Sequence, residues 1–213
     1  MTVVDQRSGW EYDFWRVLSK PAGGGRLDVA WGGKTRIDGD GLGAEANAAN
    51  FGELAGNLRV EELQAGLIDH ALFLSVDCDS GDSVYPATHV GRSCSDIGLS
   101  NAHAPAMGQR FQLDMSDAEI EALAVPAWKK TILRAMAHYG MYVGDTGGSW
   151  GIKEEGGLTY TAFGYEDKWV AFAKQVGAPY YAPDNDWVFN LRDGVDWAHR
   201  LRAIDPCEAN ATC

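Results

Sequence analysis

The sequence lacks several features, and each absence narrows what the chain can be. No apolar run approaches the ~20 residues that a bilayer-spanning helix needs, so no membrane insertion is expected. The 213 residues carry 18 Lys and Arg against 30 Asp and Glu, a net charge of −12. No run of cations overrides that sign, and nucleic-acid affinity comes mainly from cations that displace counterions, so a nucleic-acid partner is not expected. There is no Walker loop, dinucleotide fingerprint or H-E-x-x-H. Internal repeats and low-complexity linkers are missing too. The first residues, MTVVDQRSGWEYDFW, lack the basic and apolar regions of a signal peptide. Export would therefore imply a leader removed beforehand or another route, such as release within a virion.

What is present reads as one folded domain over 1–213. At 46% hydrophobic and 23% charged residues, the chain can bury a full core at this length. Its four cysteines fall into two local pairs, Cys78 with Cys94 and Cys207 with Cys213, neither spaced as C-x-x-C. In polar, loop-like surroundings an even count reads as two disulfides, hence an oxidising, extracellular setting.

Strands dominate the first half. Alternation and aromatics predict strands over Trp10 to Leu18 and Leu27 to Trp31, and a long one over Leu67 to Val76 that puts His70 on its aliphatic face and Asp69 on the other. Shorter strands are expected at Val84 to Ala87, Gln109 to Leu113, Met141 to Gly144, Leu158 to Phe163 and Trp187 to Asn190. A short helix is read within Ala44 to Gly56, and a helical turn at Val60 to Gln64. Ser116 and Glu119 form a capping box that opens a helix at Asp117. Pro126 at a first helical position and Gly140 as a stop bracket Ala127 to Tyr139. Further helices are expected over Glu166 to Val176 and Val195 to Arg202. Without strict β-α-β alternation, the pattern predicts an α+β fold: an antiparallel β-sandwich or jelly-roll-like sheet core with several packed helices.

The candidate chemistry is spread along the chain. Asp145-Thr146-Gly147 occurs once and lacks the second aspartate an aspartic protease requires. Asp77, Asp79 and Asp82 converge in sequence on one turn and are candidate calcium ligands, the one cofactor implied, although Asp and Gly favour turns anyway. Eight Trp and eight Tyr, with Glu11, Asp13, Asp69 and Asp145 near strands or strand ends, suit a carbohydrate groove. Sugar rings offer apolar faces to aromatics and hydroxyls to carboxylates, and paired carboxylates supply acid and base for glycosidic cleavage. Trp15 belongs to this aromatic inventory as a candidate substrate contact.

Four segments, GLIDHALFL (66–74), VYPATH (84–89), APAMGQRFQL (104–113) and ILRAMAHYGMYVGDTGGSW (132–150), together resemble a poorly characterised group of extracellular bacterial proteins, largely actinobacterial. That group carries I-x-H-A-L, Y-P-A, P-x-M-G and Y-G-M-x-V-x-D-x-G segments in the same order. Ala106 stands where a second Pro is usual and Thr146 where Asn is usual. The resemblance covers about half the chain and implies a secreted protein in contact with polysaccharide. It singles out His70, Tyr85, Met107, Arg110 and Asp145: His70 as acid or base, Asp145 orienting it or acting itself with Asp69 nearby, Arg110 holding an anionic sugar substituent, Tyr85 and Met107 as contacts. The expectation is a glycoside hydrolase, a polysaccharide lyase or a polysaccharide-binding domain. A non-catalytic virion or surface-fibre subunit, capable of self-assembly, is the alternative.

Overall fold

The structure, a computed structural model, describes residues 1–209, so the expected Cys207–Cys213 bridge lies outside the described residues. The chain begins as a meander. Strands β1 (Thr2–Asp5), β2 (Trp10–Ser19) and β3 (Asp28–Arg36) form a three-stranded antiparallel sheet in that order. β1 pairs only with Trp10 to Asp13 of β2, so from Trp15 outward the other two strands continue as a bare ribbon. Most of the 44–56 stretch expected as helix is irregular, and only α1 (Glu53–Gly56) is helical. Asn47 explains part of the difference: its side-chain amide donates to the Phe51 carbonyl, and such local bonds compete with a helix ladder.

Helix α2 (Val60–Ala65) ends at Gly66 in the left-handed region, and β4 (Leu72–Val76) follows. The predicted strand from Leu67 is thus shorter than its alternation suggested. Ile68 is buried as strand geometry would have it, yet the intervening chain turns so that His70 reaches back to α2. β4 is buried on both faces, which explains its nearly unbroken apolar run. The loop after it carries the Cys78–Cys94 disulfide, which closes a loop short enough to contribute ~3 kcal/mol. Residues 84–87, expected as a strand, form a turn through a cis Tyr85–Pro86 bond.

Next come β5 (Arg110–Leu113), α3 (Asp117–Ala122) with its Ser116–Glu119 capping box, and α4 (Ala127–His138), for which Pro126 is the cap itself. β6 (Met141–Thr146), β7 (Gly151–Ile152), α5 (Leu158–Thr161) and α6 (Lys168–Val176) follow. The predicted strand at 158–163 is therefore a helical turn, closed by amides of Tyr160 and Thr161 donating to the Gly157 carbonyl. The chain ends in β8 (Tyr180–Tyr181), β9 (Asp186–Trp187), α7 (Trp197–Arg200), β10 (Leu201–Ala203) and α8 (Pro206–Ala209).

The fold is mixed α+β. Its central sheet has the order β10-β5-β6-β4-β7, and β4 runs parallel to β6, so the sheet is mixed where an antiparallel one was expected. The main core lies between this sheet and helices: Leu72, Leu74, Met141 and Val143 share one cluster with Leu63 of α2 and Ile132, Leu133 and Met136 of α4. Gly144 interrupts the β4–β6 register, because Leu74 faces Val143 while Ser75 faces Asp145. A Cβ there would overlap the fully buried Phe73 ring, so the bulge depends on glycine.

Candidate functional site

The residues singled out from sequence do not gather in one place. His70 is held by Glu62 of α2, with Nε2 3.0 Å from Oε1, and its Nδ1 lies 2.8 Å from the Ala71 carbonyl. Arg59 pairs with the same carboxylate at 2.8 Å. Asp145 is exposed and accepts from the Thr146 amide. His70 lies just before β4, whose first pair with β6 is Leu72 and Met141, while Asp145 faces Ser75 toward the other end of that pair. The expected His70–Asp145 dyad is corrected accordingly, and Asp69 is a solvent-facing loop residue.

Burial is the largest single influence and disfavours a charged His70, but the hydrogen bonds to Glu62 and the Ala71 carbonyl, with the Glu62 charge, together outweigh it and lift the ring above its ordinary value. Stability gained from the charged ring is complete below the ordinary histidine pKa and is lost as pH rises through the raised one. His70→Gln should therefore cost about 1 kcal/mol near pH 5.5 and less near pH 9. Thermal melts across that range measure it, and a penalty independent of pH would remove the charge from the explanation.

Met107 is a core residue, 1% exposed. Tyr85 is exposed near Tyr142, over whose ring the Arg110 guanidinium sits at 5.7 Å. Arg110 also donates to the Tyr139 carbonyl at 2.7 Å. Trp15 stands apart on the ribbon. The three aspartates read as calcium ligands are not brought together as a ligand set. Asp79 is fully buried with its carboxylate accepting backbone amides of Gly81 and Gly91, while Asp77 and Asp82 face solvent. Among the described residues no group of three or more His, Cys, Asp or Glu side chains is placed to hold a metal ion.

A concave site exists elsewhere. The chain from Trp150 to Gly157, the start of α6 and the segment 186–193 enclose a cleft of about 610 Å³, within the range of small-ligand sites. One side is an edge strand: β7 pairs with β4 at Leu74 and Ser75, and its continuation bonds to Leu58 through Lys153 and Glu155. The other side is the 190–193 turn. Lys129 of α4, almost wholly buried, donates to the carbonyls of Asn190 and Asp193 and so clamps that turn to the core. Phe189 packs against Trp128, Trp169 and Phe172 to make the floor. Gly157 lets the chain approach α6 closely, where a Cβ would overlap the Asp167 carboxylate that caps the helix.

The lining combines aromatics with acids. Trp150, Trp169 and Trp187 join Phe189, and five carboxylates (Glu154, Glu155, Asp167, Asp186 and Asp193) face one cation, Arg192. Several acids are already engaged: Glu155 accepts from the Tyr160 hydroxyl at 3.0 Å, Asp167 from the α6 amides, and Asp193 from the Asn190 side chain. Glu154 accepts no side-chain hydrogen bond from the described residues. Its side chain is open to solvent on the cleft side, while surrounding protein, and then the charge of Asp186, raise its pKa above the ordinary glutamate value. The Trp169 Nε1 is buried with no hydrogen-bond partner among the described residues. Of the segments that carry the resemblance, the last delivers Ile132 and Trp150 to this cleft. No protein-family profile, curated protein or solved structure matches the chain.

Proposed function

We propose that the chain is an extracellular carbohydrate-acting protein, and that the 150–193 cleft binds a glycan without acidic substituents and cleaves it. One feature carries this reading: an aromatic-lined concavity whose lining includes both Glu154 and Asp186, with the Glu154 pKa raised above the ordinary glutamate value by surrounding protein and then by the Asp186 charge. Indole faces suit the C–H faces of pyranoses, and the surplus of carboxylates suits hydroxyls while repelling uronates. In the cleavage step Glu154 gives its proton to the glycosidic oxygen as the bond to the anomeric carbon breaks. Asp186 takes the proton of the water that attacks that carbon. The Cys78–Cys94 disulfide supports an oxidising compartment.

The test is incubation with neutral and acidic polysaccharides while reducing ends and retention are followed. A neutral glycan should be retained and cleaved, and Trp187→Ala should weaken retention about tenfold. Retention without products would leave a binding protein and remove the acid–base roles. No interaction with any neutral glycan, or cleavage unaffected by cleft variants, would overturn the reading.

A further inference from the structure

The β2–β3 ribbon differs from the rest of the molecule in both charge and surface. Between Phe14 and Arg36 lie five of the chain's 18 Lys and Arg but one of its 30 Asp and Glu, so this segment is +4 while the remainder is −16. Every residue from Trp15 to Arg26 is exposed. The apolar residues there are large: Trp15 is 58% exposed, Trp31 55% and Leu18 65%. Trp15 and Trp31 sit directly opposite each other across the two strands, so their side chains share one face. The Trp31 indole is fixed by donating to the Glu45 carbonyl. Arg16 adopts a positive φ of 49°, next to a register shift at Val17. Its guanidinium lies 5.5 Å from the Trp15 ring centroid. Positive φ outside glycine is a strained conformation that persists where the surroundings over-determine it. An isolated two-stranded ribbon is at best marginally stable in water, so an exposed one rich in Trp gains from an occupant.

We propose that this ribbon is a second glycan site, for a linear polysaccharide bearing carboxylate, sulfate or phosphate groups. Sugar rings lie on the Trp15–Trp31 pair, and the anionic groups meet Arg16 and Lys20. Charge complementarity selects the class, since the rest of the surface repels polyanions and the ribbon attracts them. The cations run along the ribbon's length, from Lys20 near the tip to Lys34 and Arg36 at its base. Lys34 and Arg36 alternate to the face opposite the tryptophan pair, and Arg26 and Arg36 are paired with Asp28 and Asp38, so a polyanion on the tryptophan face meets Arg16 and Lys20. The site is separate from the cleft and of opposite sign, so it does not depend on the cleft's activity.

The experiment is affinity electrophoresis and calorimetry with polygalacturonate, dextran sulfate and neutral dextran, with anionic vesicles and single-stranded DNA as further arms. At least one anionic glycan should bind, with affinity falling as salt rises. Neutral dextran should not bind the ribbon. The Trp15→Ala/Trp31→Ala pair and the Arg16→Glu/Lys20→Glu pair should each weaken binding at least tenfold while circular dichroism and thermal midpoint stay unchanged. Failure of every anionic glycan to bind, undiminished binding in the tryptophan pair, or capture of vesicles or DNA in preference to the glycans would each overturn the proposal.

Discussion

Glu154→Gln should lower glycan cleavage by about 10²–10⁴-fold, the contribution typical of a positioned general acid. The side chain keeps its shape and its place in the cleft, so substrate binding should hold while the turnover number falls. The leaving group distinguishes proton donation from packing. A dinitrophenyl glycoside departs without protonation, so the variant should cleave it nearly as fast as the parent protein does. The pH profile supplies a second readout. Glu154 acts while protonated, and its pKa is raised, first by burial and then by Asp186. Parental activity should therefore persist above the ordinary glutamate range and fall as pH rises through the raised value. Asp186→Asn removes the neighbouring charge, so whatever activity survives should lose its basic limb at lower pH. Equal losses on the natural glycan and the activated glycoside would mean that Glu154 shapes the cleft and donates no proton.

The elements legible in the sequence were those whose signals are local. The Ser116–Glu119 capping box, the apolar spacing of α4 and the aromatic alternation of β2 each depend on residues a few positions apart, and all three appear where expected. The Cys78–Cys94 bridge was legible for the same reason. The failures came from tertiary contacts. His70 shares its alternation with β4, but an available carboxylate on α2 draws it out of strand geometry. Leu158 to Phe163 has strand composition, yet the Tyr160 hydroxyl finds Glu155 and Glu61, and the segment closes as a helical turn. The Gly144 bulge cannot be seen without the Phe73 ring that fills the space.

The cleft did leave a trace in the sequence. Trp150 is followed by Glu154-Glu155, Trp169 is preceded by Glu166-Asp167, and Trp187 by Asp184 and Asp186. Trp197, with Asp193 and Asp196, is a fourth tryptophan of the last third within five residues of two acids, and three of the four line the cleft. Sequence spacing could not say that Lys129, 21 residues before Trp150 and on another element, clamps the far wall.

A second large effect belongs to the base of the ribbon, where Glu11 and Asp13 are buried on the inner face of β2. Glu11 accepts the Leu54 amide at 2.9 Å, and Asp13 accepts the Glu53 amide at 3.1 Å. Burial, with the charges of Asp13 and Glu53, pushes the Glu11 carboxyl up to about 7 from 4.5, against the lowering effect of the Leu54 amide. Between those values the folded chain holds a proton that the unfolded chain releases, so stability falls as pH rises and the loss is complete above about 7. The gap corresponds to about 3 kcal/mol by pH 8. Glu11→Gln keeps an acceptor for the Leu54 amide and carries no charge, so it should match the parent below pH 4.5 and exceed its stability by roughly that amount at pH 8. Urea unfolding at pH 5 and pH 8 measures both. The His70–Glu62 pair also weakens as pH rises, but it is common to parent and variant, so the difference between their two curves isolates Glu11. If that difference is flat with pH, the carboxyl titrates alike in both states, and the amide bonds alone hold the ribbon to α1.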